Sequence, residues 1–212
     1  MDKEFGLMPS QSILDIEEIS NQSKSIPKAM LFSMIIPGSG ELYCNNDSGY
    51  FFMMLELGLV GSYFIYHKKG LDKQIEYRKF GDRHWNKERY KENAEAQGDE
   101  EAMEKEADLP SEKDSRYYDM IGKEDAFSYG WDSDKSRQDY NSKMDESKNQ
   151  LKIASICVGV TIINHVFSAI NALRSTKRFN SRIKEKARSD KDFKVVTSIS
   201  RDKTELGFRI TY

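Results

Sequence analysis

Long runs of charged residues are interrupted twice by apolar stretches, Tyr50–Tyr66 and Ile153–Leu173. Each approaches the ~20 apolar residues that a helix needs to cross a ~30 Å hydrocarbon layer. A third, shorter run, Ala29–Ile36, precedes them and is closed by Pro37, Gly38 and Gly40. Seventeen helical residues from Pro27 to Tyr43 would rise only about 25 Å. The pattern therefore predicts a first helix that bends at Pro37, kinked or re-entrant, rather than a straight crossing. Pro27 suits the first helical turn, where its missing N–H is not needed. The loop Cys44–Gly49 is short and turn-forming, so the second helix should return antiparallel to the first.

The remaining segments follow from the same pattern. Residues 1–26 form a polar leader in which Ile13, Leu14, Ile16 and Ile19 can line one face of a short helix at a membrane surface. Residues 27–67 form a membrane hairpin, with Tyr50 at one end of its second helix and Tyr63 and Tyr66 at the other, as interfacial belts require. Gly58 and Gly61 offer small surfaces for close helix approach. Lys68–Ala107 reads as helix broken at Leu109-Pro110, and Lys135–Asn149 is helical again. The segment 68–150 holds both tryptophans and ten aromatic residues, too many for a solvated linker, which predicts a charged helical extramembrane subdomain. Residues 151–173 form the other membrane helix, and 174–192 extend it as a basic stalk. Alternating apolar positions at Phe193, Val195, Thr197 and Ile199, then Leu206, Phe208, Ile210 and Tyr212, predict a C-terminal β-hairpin over 193–212. The expected fold class is mainly α and integral to a membrane: a helical hairpin, a third transmembrane helix, an inserted helical subdomain and a terminal β-hairpin.

Composition changes this picture only by concealing it. The mean hydropathy is −0.73 and 32% of residues are charged, because almost half of residues 68–150 carry charge. The net charge of −2 hides a gradient from about −3 over residues 1–27, through about −5 over 68–150, to about +7 over 174–212. Lys and Arg are enriched on cytoplasmic flanks of membrane helices, so the tail is expected in the cytoplasm. With three crossings, residues 1–26 and 68–150 would share the opposite side. Lys68, Lys69, Lys73, Arg78 and Lys79 flank a membrane end too and argue for the reverse. The N-terminus lacks the basic-then-apolar pattern of a secretory signal peptide.

Candidate chemistry is sparse. The string Ile36–Tyr43 is the most distinctive, with Pro37, Gly38, Gly40, Glu41 and Tyr43 as its motif positions. It reads as a packed membrane hairpin, or as a site for a headgroup, ion or partner helix, with Glu41 and Tyr43 near the interface. Glu56, Asn164 and His165 fall near the middle of the two long stretches, where ionisable groups are costly and need a partner. A Glu56–His165 or Glu56–Asn164 contact is the simplest solution, as an interhelical clamp or as a proton- or ion-coupled site. The acidic run Asp99, Glu100, Glu101, Glu104 and Glu106 lacks the spaced ligands and turn glycine of a calcium loop. Asp132 and Asp134, near Trp131, are similarly unspecific. Cys44 and Cys157 do not suggest a disulfide, and His67, His84 and His165 have no metal-ligand spacing. No catalytic constellation, cofactor or metal fingerprint occurs. The basic stalk, including Arg174, Lys177, Arg178, Arg182, Lys184, Lys186 and Arg188, points to anionic lipid rather than nucleic acid.

The string PGSGELY, after SIPKAMLFSMI and before a second hydrophobic helix, resembles the Pro-Gly-x-Gly-Gln/Glu-x-Tyr motif of a bacterial, Bacteroidetes-like membrane protein family without an established activity. YRKFGDRHW (77–85), YYDMIGKEDAFSYGWD (117–132) and NHVFSAINAL (164–173) extend the resemblance over about residues 25–175. The hairpin is also similar, more weakly, to the two-transmembrane-helix domain family. Relatives often begin with a signal peptide, and Gln is frequent where Glu41 stands. The resemblance implies fold and a bacterial inner-membrane location, but no reaction. The function expected is a non-enzymatic scaffold or interaction component of the envelope, with a protein partner or a second copy. The alternative is a small ion- or proton-coupled transport subunit using Glu56 and His165.

Overall fold

The computed structural model describes residues 22–191, 194–200 and 203–209. Most of the polar leader, with Ile13 to Ile19, lies outside them. The chain is mainly helical and divides into two compact units, residues 1–57 with 161–212, and residues 58–160.

In the first unit, helix α1 (Ile26–Ile35) has proline in its first turn and ends before Pro37. The residue preceding a proline is pushed out of the helical region, and Ile36 is accordingly extended, at φ −132° and ψ 103°. Gly38 then adopts φ 94°, a left-handed conformation that glycine enters without steric cost. A five-residue helix, α2 (Ser39–Tyr43), follows. It folds back so closely that a Cβ on Gly40 would overlap the Ala29 carbonyl. The expected bend is thus a complete break. Proline removes the helical N–H at one position, and the left-handed glycine at the next reverses the path. Ten residues of α1 rise about 15 Å, half of what a crossing requires.

A turn containing Asn45 at φ 53° leads into the long helix α3 (Ser48–His84). The Ser48 N–H donates to Asn46 Oδ1 at 3.1 Å. The α3 start packs backbone to backbone against the break, because Cβ atoms at Gly38 and Gly49 would each overlap the other's carbonyl oxygen. Close approach is therefore made by Gly38, Gly40 and Gly49. A Cβ at Gly58 or Gly61, the expected contact glycines, would meet nothing within 4 Å.

The second unit corrects the expected single helix over Lys68–Ala107. Helix α3 stops at His84, and Trp85 forms an isolated antiparallel bridge with Trp131, through Asn86 N–H to Gly130 O at 2.9 Å and Asp132 N–H to His84 O at 3.0 Å. Asn86 then caps α4 (Lys87–Gln97), accepting from Arg89 N–H. Helix α4 ends at Gly98, whose φ is 66°. Asp99 caps α5 (Glu100–Lys105), and Asp114 caps α6 (Ser115–Lys123). Each supplies the short polar acceptor that an exposed first turn needs. A 3₁₀ turn at Asp125–Gly130 precedes α7, which runs unbroken from Asp134 to Lys191. The expected third membrane helix and basic stalk are thus parts of one helix that begins in this unit.

The unit's core is aromatic. Tyr77, Trp85, Tyr90, Phe127, Trp131 and Tyr140 are buried together with Ile121 and Met144. Both indoles find acceptors, Trp85 Nε1 on Phe127 O at 3.0 Å and Trp131 Nε1 on Ile121 O at 2.7 Å. The Tyr140 hydroxyl donates to Tyr118 O at 2.7 Å. Buried aromatic rings thus gain area without leaving their polar tips unpaired.

Strands β1 (Lys194–Ser200) and β2 (Lys203–Arg209) pair antiparallel, with Val195 opposite Phe208 and Thr197 opposite Leu206. Phe193, Ile210 and Tyr212 of the expected apolar face lie outside the described residues.

Burial, aided by Asp82, raises the Tyr117 and Tyr118 phenols to about 12, and burial raises Tyr140 as well. The unfolded chain releases these protons near 10. Folded stability from the three tyrosines is therefore complete below about pH 10 and is lost as pH rises towards 12. Phenolate absorbance should lag for these tyrosines and appear together with loss of near-ultraviolet circular dichroism. Full tyrosine titration near pH 10 with unchanged dichroism would contradict the buried core.

Candidate functional site: a polar seam on an apolar helix

Breaking α1 frees backbone groups. In a continuous helix the Met34 carbonyl would accept the N–H of Gly38, but here the two part company. Helix α7 supplies replacements for both. Ser168 Oγ accepts from Gly38 N–H at 2.7 Å, and His165 Nδ1 lies 2.6 Å from Met34 O. A carbonyl only accepts, so Nδ1 carries the hydrogen.

Glu41 is the centre of the arrangement and is fully buried. Its carboxyl accepts from Ser33 Oγ at 2.6 Å, from Ser168 Oγ at 3.1 Å and from Asn171 Nδ2 at 3.2 Å. Ser33 Oγ in turn accepts from Gly40 N–H at 3.0 Å. Each serine thus relays a freed backbone donor to the carboxyl, spending its single hydroxyl proton on Glu41. The expected place for this carboxylate was the interface. It lies inside because α2 folds back on α1 and turns residue 41 towards Ser33 and α7.

The seam continues in both directions. Asn171 Nδ2 also donates to Ser48 Oγ at 2.9 Å, and Asn46 Nδ2 donates to Ser175 Oγ at 2.6 Å. Thr176 Oγ1 spends its proton on Ala172 O at 2.8 Å. The Cys44 thiol, 3.1 Å from that oxygen, is therefore the donor to it. Asn180 clasps the Lys24 backbone twice, accepting from its N–H at 2.8 Å and donating to its carbonyl at 2.9 Å. Tyr43 packs edge-on against Phe32, with the Lys24 ammonium 4.7 Å from its ring. Pro37 is buried.

Nearer the middle of the apolar stretches, Asn164 Nδ2 donates to Phe52 O at 3.2 Å and to Glu56 Oε2 at 3.1 Å. His165 Nε2 lies 3.4 Å from Glu56 Oε1. The imidazole thus spans the Met34 carbonyl and the Glu56 carboxyl. Asn164 Oδ1 is buried without a partner. Glu56, Asn164 and His165 therefore meet, and Glu41 joins a separate cluster with Ser168 and Asn171.

Eight members of this seam are absent from the candidates read from sequence: Ser33, Asn46, Ser48, Ser168, Asn171, Ser175, Thr176 and Asn180. The signal is their spacing. Polar residues at 164, 168, 171 and 175 recur at three- and four-residue intervals, which places them on one helix face. The apolar residues Ile162, Ile163, Val166, Phe167 and Ile170 are exposed.

Other polar groups of the second unit are accounted for locally. Asp99, besides capping α5, accepts from Tyr129 at 3.0 Å, and these two bonds hold its carboxyl below the usual range. Glu106 pairs with Lys87 and Lys91. Asp132 lies 2.7 Å from His84. Among the described residues no three His, Cys, Asp or Glu side chains converge on a metal position, and both cysteines are free.

No family model matches the chain, and no curated protein or solved structure matches it.

Ser168→Ala should leave Gly38 N–H without its acceptor and Glu41 without one donor, destabilising the purified chain by about 1–3 kcal/mol. Ser155→Ala, at an exposed hydroxyl that bonds only within its own helix, should change stability little. Equal unfolding midpoints for the two variants would contradict the seam.

Proposed function

We propose that the chain is an integral protein of the bacterial inner membrane, serving as a non-enzymatic scaffold or interaction component of the cell envelope. One observation carries the membrane assignment. Helices α3 and α7 are long and apolar enough to cross, yet only 6% and 22% of their most apolar stretches are buried within the chain. A core helix of a water-soluble protein hides such residues. Here Phe51, Met54, Leu57 and Phe64 of α3 are exposed, as are Ile162 and Phe167 of α7, while serine, asparagine and glutamate are buried. Apolar outside and polar inside is the arrangement that hydrocarbon favours.

Two crossings rather than three alter the topology expected above. The Lys24–Asn180 and Cys44–Thr176 bonds put the start of α1 on the same side as the basic end of α7. Lys24, Lys28, Arg174, Lys177, Arg178 and Arg182 then flank one membrane face, which we assign to the cytoplasm. The chain leaves and re-enters the bilayer around residues 68–150 through the opposite face. Membership of the Pro-Gly-x-Gly family belongs to this proposal. So do anionic lipid at the basic end and a protein partner or second copy as the scaffold's client. Position directly beside a membrane helix favours lipid over nucleic acid there.

A second reading has its own support. The approach of His165 Nε2 to Glu56 Oε1 at 3.4 Å, beside the unpartnered Asn164 oxygen, suits a proton- or ion-coupled subunit.

The chain should remain in the membrane pellet after alkaline carbonate extraction, and release into the supernatant would refute the membrane assignment. In proteoliposomes carrying a pH gradient, the scaffold reading predicts no proton leak from wild type or Glu56→Gln. Proton flux in wild type that Glu56→Gln abolishes would establish the second reading instead.

A further inference from the structure

The turn Cys44–Asp47 and one face of α7 line a half-open cavity of about 260 Å³, with Asn45, Asp47, Ser175, Arg178, Phe179 and Arg182 among its walls. We propose that this cavity binds the phosphate of a phospholipid headgroup, with Asp47 favouring a headgroup that also carries an ammonium. This rests on the membrane assignment above.

Charge supplies the first argument. Arg178 and Arg182 are one helical turn apart and so share a face. Among the described residues neither has an ion-pair partner, and neither does Asp47. Two free guanidinium groups match phosphate oxygens through bidentate hydrogen bonds. The single carboxylate beside them would repel a bare anion, but it complements an ammonium a few bonds from the phosphate.

The walls are built independently of any ligand. Asn46 is spent on Ser175 and on the Ser48 N–H. The buried Cys44 thiol is spent on Thr176. Phe179 also packs towards the Lys24 ammonium, 5.7 Å from its ring. The cavity walls are thus fixed, while among the described residues its charged groups form no ion pair.

Depth supplies the second argument. The apolar stretch of α7 ends at Leu173; Arg178 stands about 8 Å further along the axis and Arg182 about 14 Å, and long helical side chains lean back towards the N-terminus, here the hydrocarbon. The headgroup layer is about 5–8 Å thick on each side of the hydrocarbon. Asp47 likewise precedes the apolar run that begins at Tyr50. A volume just below the ~300 Å³ at which ligand pockets for larger molecules begin suits a headgroup, with acyl chains left outside.

The test is native mass spectrometry of the detergent-solubilised full chain. It is titrated with dioleoyl phosphatidylethanolamine, dioleoyl phosphatidylglycerol or inorganic phosphate. At a collision energy that strips lipid held only by the open basic flank, wild type should retain one ethanolamine lipid in preference to the glycerol lipid. Arg178→Gln with Arg182→Gln should reduce retention at least tenfold, whereas Arg174→Gln, outside the cavity, should not. Asp47→Asn should remove the preference between the two lipids. The double Lys variant, Arg178→Lys with Arg182→Lys, should keep partial binding and the wild-type unfolding midpoint, which separates lost recognition from lost fold. Unchanged retention in the double Gln variant would overturn the site. Binding of inorganic phosphate without lipid would overturn its assignment to a phospholipid, and an unaltered preference in Asp47→Asn would overturn the role of the carboxylate. A chain that proves soluble without detergent refutes the membrane assignment. Phosphate calorimetry on that soluble chain, wild type against the double Gln variant, would still read the arginine pair itself.

Discussion

Backbone hydrogen-bonding groups freed where α1 breaks must be satisfied away from water, and the first unit is arranged around that requirement. Pro37 and the left-handed Gly38 leave Met34 O and the N–H groups of Gly38 and Gly40 without their helical partners. An unsatisfied group of this kind costs about 1–3 kcal/mol when buried, and more in hydrocarbon. Ser33, Ser168 and His165 take these groups up, and the two serine hydroxyls donate hydrogen bonds to Glu41. The break, the buried carboxyl and the polar face of α7 are therefore one device, because each leaves something unpaired if another is removed.

Close packing makes the device possible. Gly38 and Gly49 let two backbones touch, and Gly40 lets α2 lie on α1 without a side chain between them. Only at that separation do short hydroxyls such as Ser33 and Ser168 reach both a backbone N–H and the Glu41 carboxyl. A longer side chain on either partner would open the gap and strand the carboxyl. The second unit solves the opposite problem. Its core uses large rings around Trp85, Trp131 and Tyr140, and a glycine at 130 makes room for the Trp85 indole.

The two apolar stretches and the interruption at Pro37 are legible in the sequence, because helix length and proline chemistry are local. Glu56, Asn164 and His165 stand out as polar residues in apolar runs. The burial of Glu41 is not legible, since it depends on α2 folding back, a consequence of Gly38 and Gly40 acting together. Ser168, Asn171 and Ser175 pass unnoticed because serine and asparagine carry no charge, and only their three- and four-residue spacing marks them. The helix end at His84 is hidden for another reason. The pairing of Trp85 with Trp131 joins positions 46 residues apart, and no local propensity reports it.

Contact between the turn after α2 and the α7 face tests the seam most directly, and the native thiol of Cys44 offers a probe. Its sulfur lies 3.1 Å from Thr176 Oγ1. In a Thr176→Cys, Cys157→Ser variant kept in the cell fraction where it accumulates, mild oxidation should close a Cys44–Cys bond within one chain. Thiol blocking followed by intact-mass measurement would read it as loss of both free thiols. Two thiols that stay free under oxidant, in a chain that still folds, would contradict a seam that joins the broken helix to α7.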